Sequence, residues 1–308
     1  MVYLSIIIIN YKTPRTTLKC IEKIYSDPNH QDYEIIVIDN YSDDDSEILI
    51  LSIFQEVVWV ANVENVGFGQ ANNIGARHAT GEFLLFLNSD VYVETNTISV
   101  CLQFMEANDR TGVLGCKLLN SDGSHQKSCY YHVGEYTSLL KDNLILTKFV
   151  RFKERQLMAV MGAFMLIPTR VYKEVGGFDP DFFMYAEELE LCNRIRIRNY
   201  NIHCKDTVSA IHEHGSSSDN VWALKQNLLS TSLLFLKVKG RAGYLLYHII
   251  YIINIITNVL VLWYFEKEIR RNFLKNYRAY FSNLRMYLII PLKFSRVYGS
   301  SKESLKRR

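Results

Sequence analysis

The sequence predicts an α/β fold built on a mostly parallel sheet, and three observations carry that expectation. Nearly continuous apolar runs alternate with amphipathic stretches through the first third of the chain, short loops join them, and several runs end in polar side chains. Strands covered on both faces read as unbroken runs of Ile, Leu and Val, and strands joined through helices lie parallel.

Residues 3–9, rich in Ile, read as the first buried strand, and Pro14 opens a helix that ends near 27–29. Residues 33–38 form a second strand ending in Asp39 and Asn40. A helix over 42–54 follows, with Asp43, Asp44 and Asp45 in its first turn, where the macrodipole favours acids. A short strand over 57–60, a helix over 69–79 and a strand over 82–87 come next, the last ending in Asn88-Ser89-Asp90. Residues 118–158 lose periodicity and read as an irregular insertion on an acceptor side. The stretch 159–167 is strand-like, with Gly162 and Ala163 permitting close backbone approach. Gly176-Gly177-Phe178-Asp179-Pro180 is a turn; residues 186–198 are a helix with an acidic start and a basic end; 208–212 is a short strand; 220–239 is a helix.

With 308 residues, 48% of them hydrophobic, the chain can bury one large core or a core with an appendage, and ordinary Gly and Pro counts exclude disordered and collagen-like classes. Six cysteines without a C-x-x-C pair point to reduced thiols rather than a disulfide or metal framework. No charged segment and cleavage site precede the first strand, so the body is expected in the cytoplasm. Charge is segregated: residues 266–308 carry 12 Lys and Arg against 3 acids, whereas the rest carries 23 against 29. Before that basic tail, residues 244–265 hold 22 positions without Asp, Glu, Lys or Arg. Tyr244 and Tyr247 stand at one end and Trp263, Tyr264 and Phe265 at the other. This pattern reads as attachment to a membrane surface helped by anionic lipids, with His248, Asn254 and Asn258 making full lipid exposure costly. Its alternatives are a core helix pairing with a second copy in a homodimer and, weaker, a nucleic-acid contact, against which the apolar stretch argues.

Five constellations offer chemistry. Asp39, at a strand end, could meet a nucleobase or ribose, or cap a helix. Asn65-Val66-Gly67-Phe68-Gly69 leads into Asn72 and Asn73; it fails the dinucleotide fingerprint and reads instead as a Gly-rich loop bringing backbone N–H groups to phosphate or ribose. Asn88-Ser89-Asp90 can bring a carboxylate to a hard cation on a diphosphate, or be a strand-end turn. Glu187, Glu188 and Glu190 repel one another, and burial behind aromatics raises a carboxyl pKa as a general base requires; a solvated helix start is the alternative. His212 and His214 would share one face of a strand and could complete a metal site, or lie in a surface loop.

Together these motifs resemble the nucleotide-sugar glycosyltransferases of family 2, in their rhamnosyltransferase-like branch. The resemblance runs through residues 5–13, 37–42, 65–75, 87–90, 176–179, 182–194 and 212–217, in order. It implies a GT-A fold, a Rossmann-like sandwich, over 1–217: a nucleotide-sugar half at 1–117, an acceptor half at 118–217, a connecting helix at 218–240 and a membrane-associated helical tail at 241–308. It implies that Tyr11, Asp39, Asn65, Gly67, Asn73, Asn88 and Asp90 bind the donor, a dTDP- or UDP-sugar with rhamnose as one candidate sugar. Asp90 and His212 would hold Mg²⁺ or Mn²⁺, and Glu188 would deprotonate the acceptor, where the family usually has Asp. Only one of the family's two metal-site acids is present in Asn88-Ser89-Asp90. An inverting transfer to a lipid-linked glycan acceptor at the cytoplasmic face of the membrane, in bacterial surface polysaccharide synthesis, is the implied function. A polyprenyl-phosphate sugar synthase and a non-catalytic, membrane-bound sugar-binding subunit are the alternatives.

Overall fold

A computed structural model describes residues 3–131, 135, 157–213, 221–261 and 267–290, excepting the side chains of 268 and 269. In chain order the first elements are β1 (Leu4–Asn10), α1 (Pro14–Tyr25), β2 (Tyr33–Asp39), α2 (Ser46–Leu51), β3 (Val58–Ala61), α3 (Phe68–His78) and β4 (Phe83–Asn88). Next come β5 (Val91–Val93), α4 (Thr97–Ala107), β6 (Thr111–Leu119), β7 (His125–Gln126), β8 (Cys129–Tyr130), β9 (Ala159–Val160) and β10 (Phe164–Pro168). The chain continues through α5 (Thr169–Val175), α6 (Glu187–Ile197), β11 (Asn201–His212), α7 (Val221–Val261) and α8 (Lys267–Ser282).

One sheet runs β3-β2-β1-β4-β10-β6-β11-β5, with β7 added beside β6. β1 to β4 are mutually parallel, as the apolar runs predict; β10 and β5 run against their neighbours, so the sheet is mixed. Ile6, Ile8, Val37 and Leu85 are fully buried in the core, each worth about 1.5–3 kcal/mol of transfer free energy. Register sets the site: Asn10 pairs with Asp39, and Ile9 with Asn88, so the ends of β1, β2 and β4 come out level at one edge.

Several expectations change. The helix over 42–54 contracts to Ser46–Leu51, because Tyr41 and Asp43 take left-handed φ values of 70° and 54° and the Asp44 carboxylate accepts from the Ser46 N–H at 3.0 Å. The three aspartates therefore precede the helix, and only Glu47 lies in its first turn. The strand over 159–167 is two strands, interrupted at 161–163, and the strand over 208–212 begins already at Asn201. It ends at His212; His214, the second residue of the expected H-x-H face, lies outside the described residues, as do Trp263, Tyr264, Phe265 and most of 132–156.

Two compact units emerge. The first comprises the sheet and its helices, within Met1–Val133 and Arg155–Gly215; the second comprises Gly134–Glu154 and Ser216–Arg308 and contains α7 and α8. In the second unit α7 is kinked at Gly240, whose φ is 71°. Among the described residues α7 is the one helix long and apolar enough to cross a membrane. The polar side chains of its apolar stretch are bonded within the unit. Asn258 donates to Asn254 at 2.9 Å, both buried; His248 Nδ1 lies 2.8 Å from the Tyr280 hydroxyl; Tyr244 donates to the Tyr287 carbonyl at 2.7 Å. These bonds, one within α7 and two to the α8 segment and the residues after it, partly offset the expected cost of these groups in an apolar setting.

Candidate active site

The site begins where β1 and β2 end. Asp39 is buried and takes three hydrogen bonds: Asn10 Nδ2 at 2.8 Å, the Ser42 N–H at 3.0 Å and the Ser42 hydroxyl. An ionised carboxylate offers about four acceptor positions, so one remains for a ligand donor. The helix-cap alternative does not hold, since α2 starts only at Ser46. Lys12 and Tyr41 adopt left-handed backbone beside it, at φ 57° and 70°, and the rings of Tyr11 and Tyr41 stay exposed. Non-glycine residues pay about 1–3 kcal/mol for such φ values, and their clustering beyond the strand ends marks a shape held for a purpose other than stability.

Asn40 organises the Gly-rich loop. Its amide donates to Asn65 Oδ1 at 3.0 Å and accepts from Asn62 Nδ2 and the Val66 N–H, both at 3.1 Å. Asn65 Oδ1 also accepts the Gly67 N–H at 3.0 Å, and the Phe68 N–H is taken by the Phe183 carbonyl at 2.8 Å. The backbone N–H groups of Val66, Gly67 and Phe68 are therefore spent on the protein, which corrects the expectation that they cradle a phosphate. Asn73 needs the same correction. Its side chain donates to the Phe178 carbonyl at 2.8 Å and to Gln70 Oε1 at 3.2 Å, and accepts from the Tyr172 hydroxyl at 2.6 Å and the Phe178 N–H at 2.9 Å. All four hydrogen-bonding positions of the amide are filled, so Asn73 latches the turn after α5 rather than facing a donor.

At the end of β4, Asn88 Oδ1 is buried without a hydrogen-bond partner, and Asp90 Oδ1 lies 3.4 Å from His212 Nε2. Strand pairing brings these together, because His212 sits opposite Val91 and the Glu213 N–H donates to the Asp90 carbonyl at 2.9 Å. Gln126 on β7 settles the imidazole. Its amide N–H₂ points to Asn120 Oδ1 at 2.9 Å and to the His212 carbonyl at 3.4 Å, which turns Oε1 toward His212 Nδ1 at 2.7 Å. That network makes Nδ1 the side that donates to Gln126 and turns Nε2 toward the Asp90 carboxylate. Asp90, His212 and the Asn88 amide oxygen at the same strand end are the groups that could hold a hard divalent cation. Among the described residues no three His, Cys, Asp or Glu side chains converge into a metal centre.

The acidic cluster divides its labour. Glu190 is ion-paired to Arg194, whose guanidinium also reaches the Val175 and Gly177 carbonyls at 2.5 and 2.7 Å. Glu187 and Glu188 are both buried at the start of α6, after the left-handed Tyr185 and Ala186 at φ 71° and 66°. Burial pushes the Glu187 carboxyl well above its ordinary range, the Glu188 charge adds to this, and Glu187 Oε2 has no hydrogen-bond partner. Burial also raises Glu188, but its own backbone N–H, the Tyr130 hydroxyl, Lys127 and the Leu189 N–H oppose the rise. Burial therefore raises both carboxyls, and the bonds to Glu188 hold its rise below that of Glu187. Glu188 also borders the strand-end group. A Cβ on Gly162 would lie 3.5 Å from Glu188 Cβ, and the adjacent Ala163 carbonyl accepts the Asn88 N–H at 3.0 Å.

Thus Asp39, Asn88, Asp90, His212 and Glu188 gather along one edge of the sheet, whereas Asn73 faces away into the α5 turn. Gln126 and Tyr130 are the supporting residues that the sequence did not single out, and both fall in the stretch read as irregular; Asn40 was noted only as a strand-end neighbour of Asp39.

The sequence model described as "Glycosyl transferase family 2" matches residues 5–176. Among characterised proteins, the chain is 28% identical over 255 residues to the low-salt glycan biosynthesis hexosyltransferase Agl10 of Haloferax volcanii, covering 78% of this chain and 79% of that one. It is 25% identical over 252 residues to the rhamnosyltransferase WbbL of Escherichia coli, covering 75% and 91%. Among solved structures, the mannosyltransferase PcManGT from Pyrobaculum calidifontis, in complex with GDP-Man and Mn²⁺, aligns with a TM-score of 0.60 at 14% identity, over 99% of this chain and 88% of that one. GalNAc-T7 with UDP, GalNAc and Mn²⁺ aligns with a TM-score of 0.57 at 16% identity, over 76% and 48%.

Proposed function

The chain belongs to glycosyl transferase family 2, is a glycosyltransferase of GT-A fold, and on that premise we propose that it is an inverting enzyme using a nucleotide-diphosphate sugar. The observation that carries this reading is the buried Glu188 carboxyl, bonded by Tyr130 and set beside the end of β4 where Asn88 and Asp90 stand. In the proposed reaction Glu188 takes the proton of an acceptor hydroxyl as its oxygen attacks the anomeric carbon. The bond from that carbon to the diphosphate breaks, the nucleoside diphosphate departs from the opposite face, and the single displacement inverts the centre.

Asp39, with Tyr11 exposed nearby, holds the nucleoside in this account, while Asn65 and Gly67 shape the loop beside it. Asp90 and His212, with Asn88 Oδ1, would hold Mg²⁺ or Mn²⁺, which when bound supplies positive charge to the departing diphosphate. The Mn²⁺ in the structurally similar mannosyltransferase and GalNAc-T7 supports a divalent metal here. Residues 1–217 constitute the transferase, 1–117 for the donor and 118–217 for the acceptor, with 218–240 connecting to a membrane-attached 241–308. The relatives named for glycan and rhamnosyl transfer, together with the apolar α7, support a lipid-linked glycan acceptor in cell-surface polysaccharide assembly at the cytoplasmic face of the membrane. A buried base suits a hydroxyl acceptor, whereas a polyprenyl phosphate needs none.

The test is Glu188→Gln with the anomeric configuration of the wild-type product. Transfer should fall by about 10²–10⁴-fold with donor binding unchanged, the range for losing a general base. Turnover near wild type in the variant, or a product that keeps the donor's configuration, overturns the assignment.

A further inference from the structure

Two free cysteines from distant parts of the chain meet against one face of the sheet. Strand pairing sets Cys204 on β11 beside Gly115 on β6, so its side chain shares the face toward which a Cβ on Gly115 would point. That face is covered by β9, since such a Cβ would lie 2.9 Å from Val160 Cβ. Val160 in turn pairs with Cys129 on β8. The β8–β9 pair therefore lays Cys129 against Cys204, and the Cys204 thiol donates a hydrogen bond to Cys129 Sγ. Cys204 Sγ also lies 3.6 Å from the Cys116 carbonyl oxygen. Both thiols are half-buried, whereas Cys20, Cys101, Cys116 and Cys192 are buried.

The surroundings of the pair differ from those of the other four. The Cys204 bond, followed by the Tyr131 hydroxyl and the Lys127 charge, outweighs the burial of Cys129 and pulls its thiol down to about 7. The same bond raises Cys204. Burial raises each of the remaining four thiols, which keeps them as inert S–H groups.

We propose that Cys129 and Cys204 are a redox pair that closes into a reversible disulfide under peroxide, with Cys129 reacting first and Cys204 resolving it. The Cys129 thiolate attacks one peroxide oxygen, the O–O bond breaks, and the departing hydroxide takes a proton to become water. Cys204 then attacks the sulfur of the resulting sulfenic acid, the S–O bond breaks, and the second hydroxide leaves as water with the Cys204 proton. A dithiol returns both thiols by exchange. Tyr130 follows Cys129 and its hydroxyl bonds Glu188, so the disulfide would close one residue from a partner of the proposed base.

The experiment treats the full chain with hydrogen peroxide, blocks the remaining thiols and maps the peptides by mass spectrometry, with C129S and C204S alongside. Wild type should lose two thiols, join the Cys129 and Cys204 peptides within one chain, and recover both with dithiothreitol. The rate should climb with pH through about 7. C204S should stop at a sulfenic acid on Cys129 that dimedone traps, and thiol loss in C129S should be slower by about tenfold or more. The wild-type map carries the test without any substitution. A cross-link between other cysteines or between two chains, a wild-type Cys129 that oxidises without joining Cys204, or C129S reacting at the wild-type rate overturns the pair.

Discussion

Gly67 and Phe183 meet backbone to backbone. The Phe183 carbonyl accepts the Phe68 N–H at 2.8 Å, and a Cβ on Gly67 would come within 2.2 Å of that same oxygen. Gly67 also holds φ at 83°, the left-handed region that side chains disfavour. The loop that follows β3 is thereby fixed to the segment that leads into Glu187 and Glu188.

Gly67→Ala should therefore lose about 1–3 kcal/mol from backbone strain alone, with more from the clash. Thermal unfolding should show a fall in Tm of several degrees, and transfer should fall with it. An unchanged Tm would mean that the two loops are not in contact.

Asn73→Ala separates a latch from a ligand contact. Removing the amide strands the Phe178 backbone groups and the Tyr172 hydroxyl, at a cost of about 1–3 kcal/mol. Stability should drop while KM for the donor stays as in wild type. A raised KM at unchanged stability would return Asn73 to the donor site.

Gln126→Ala should weaken Mn²⁺ binding by about 10–100-fold, the usual effect of removing the group that orients a ligating imidazole. Titration of the metal requirement for transfer measures it. An unaltered requirement would take His212 out of the metal site.

The paired carboxyls give two pH signatures of defined sign. Glu187 is raised above its unfolded value, so folding favours its protonated form; that advantage is full at low pH and lost as pH climbs through the folded pKa. Glu187→Gln should accordingly gain on wild type in Tm as pH rises from the ordinary carboxylate range upward. As the proposed base Glu188 would act only when ionised, so kcat/KM should fall as pH drops, on a limb lying above that of an ordinary glutamate. A Tm difference that is flat with pH, or an acid limb at the ordinary value, would contradict the burial of the pair.

Much of residues 3–90 was legible because buried parallel strands announce themselves: β1, β2 and β4 are unbroken apolar runs, and Asp39 and Asp90 stand at or just past their ends. The later strands were not, and the reasons are physical. β11 carries Lys205 and Asp206 in mid-strand, slips register between Lys205 and Ser209, and so shows no clean alternation. β5 and β7, at three and two residues, are too short to display a period. Gln126 acquires its role from His212, 86 positions away, so no local window contains the signal. Asn73 misled for the converse reason: its place beside a Gly-rich loop suggested a ligand, whereas its partners lie about a hundred residues on.

Pairing of Val91 with His212 joins Asp90 to the imidazole through a ladder rather than a loop. The pairing of Cys129 with Val160 similarly closes the stem from which residues 131–158 depart. The groups at the strand ends are thus tied by paired backbone on both flanks, so a side chain exchanged there should change the chemistry of the edge before it changes its shape.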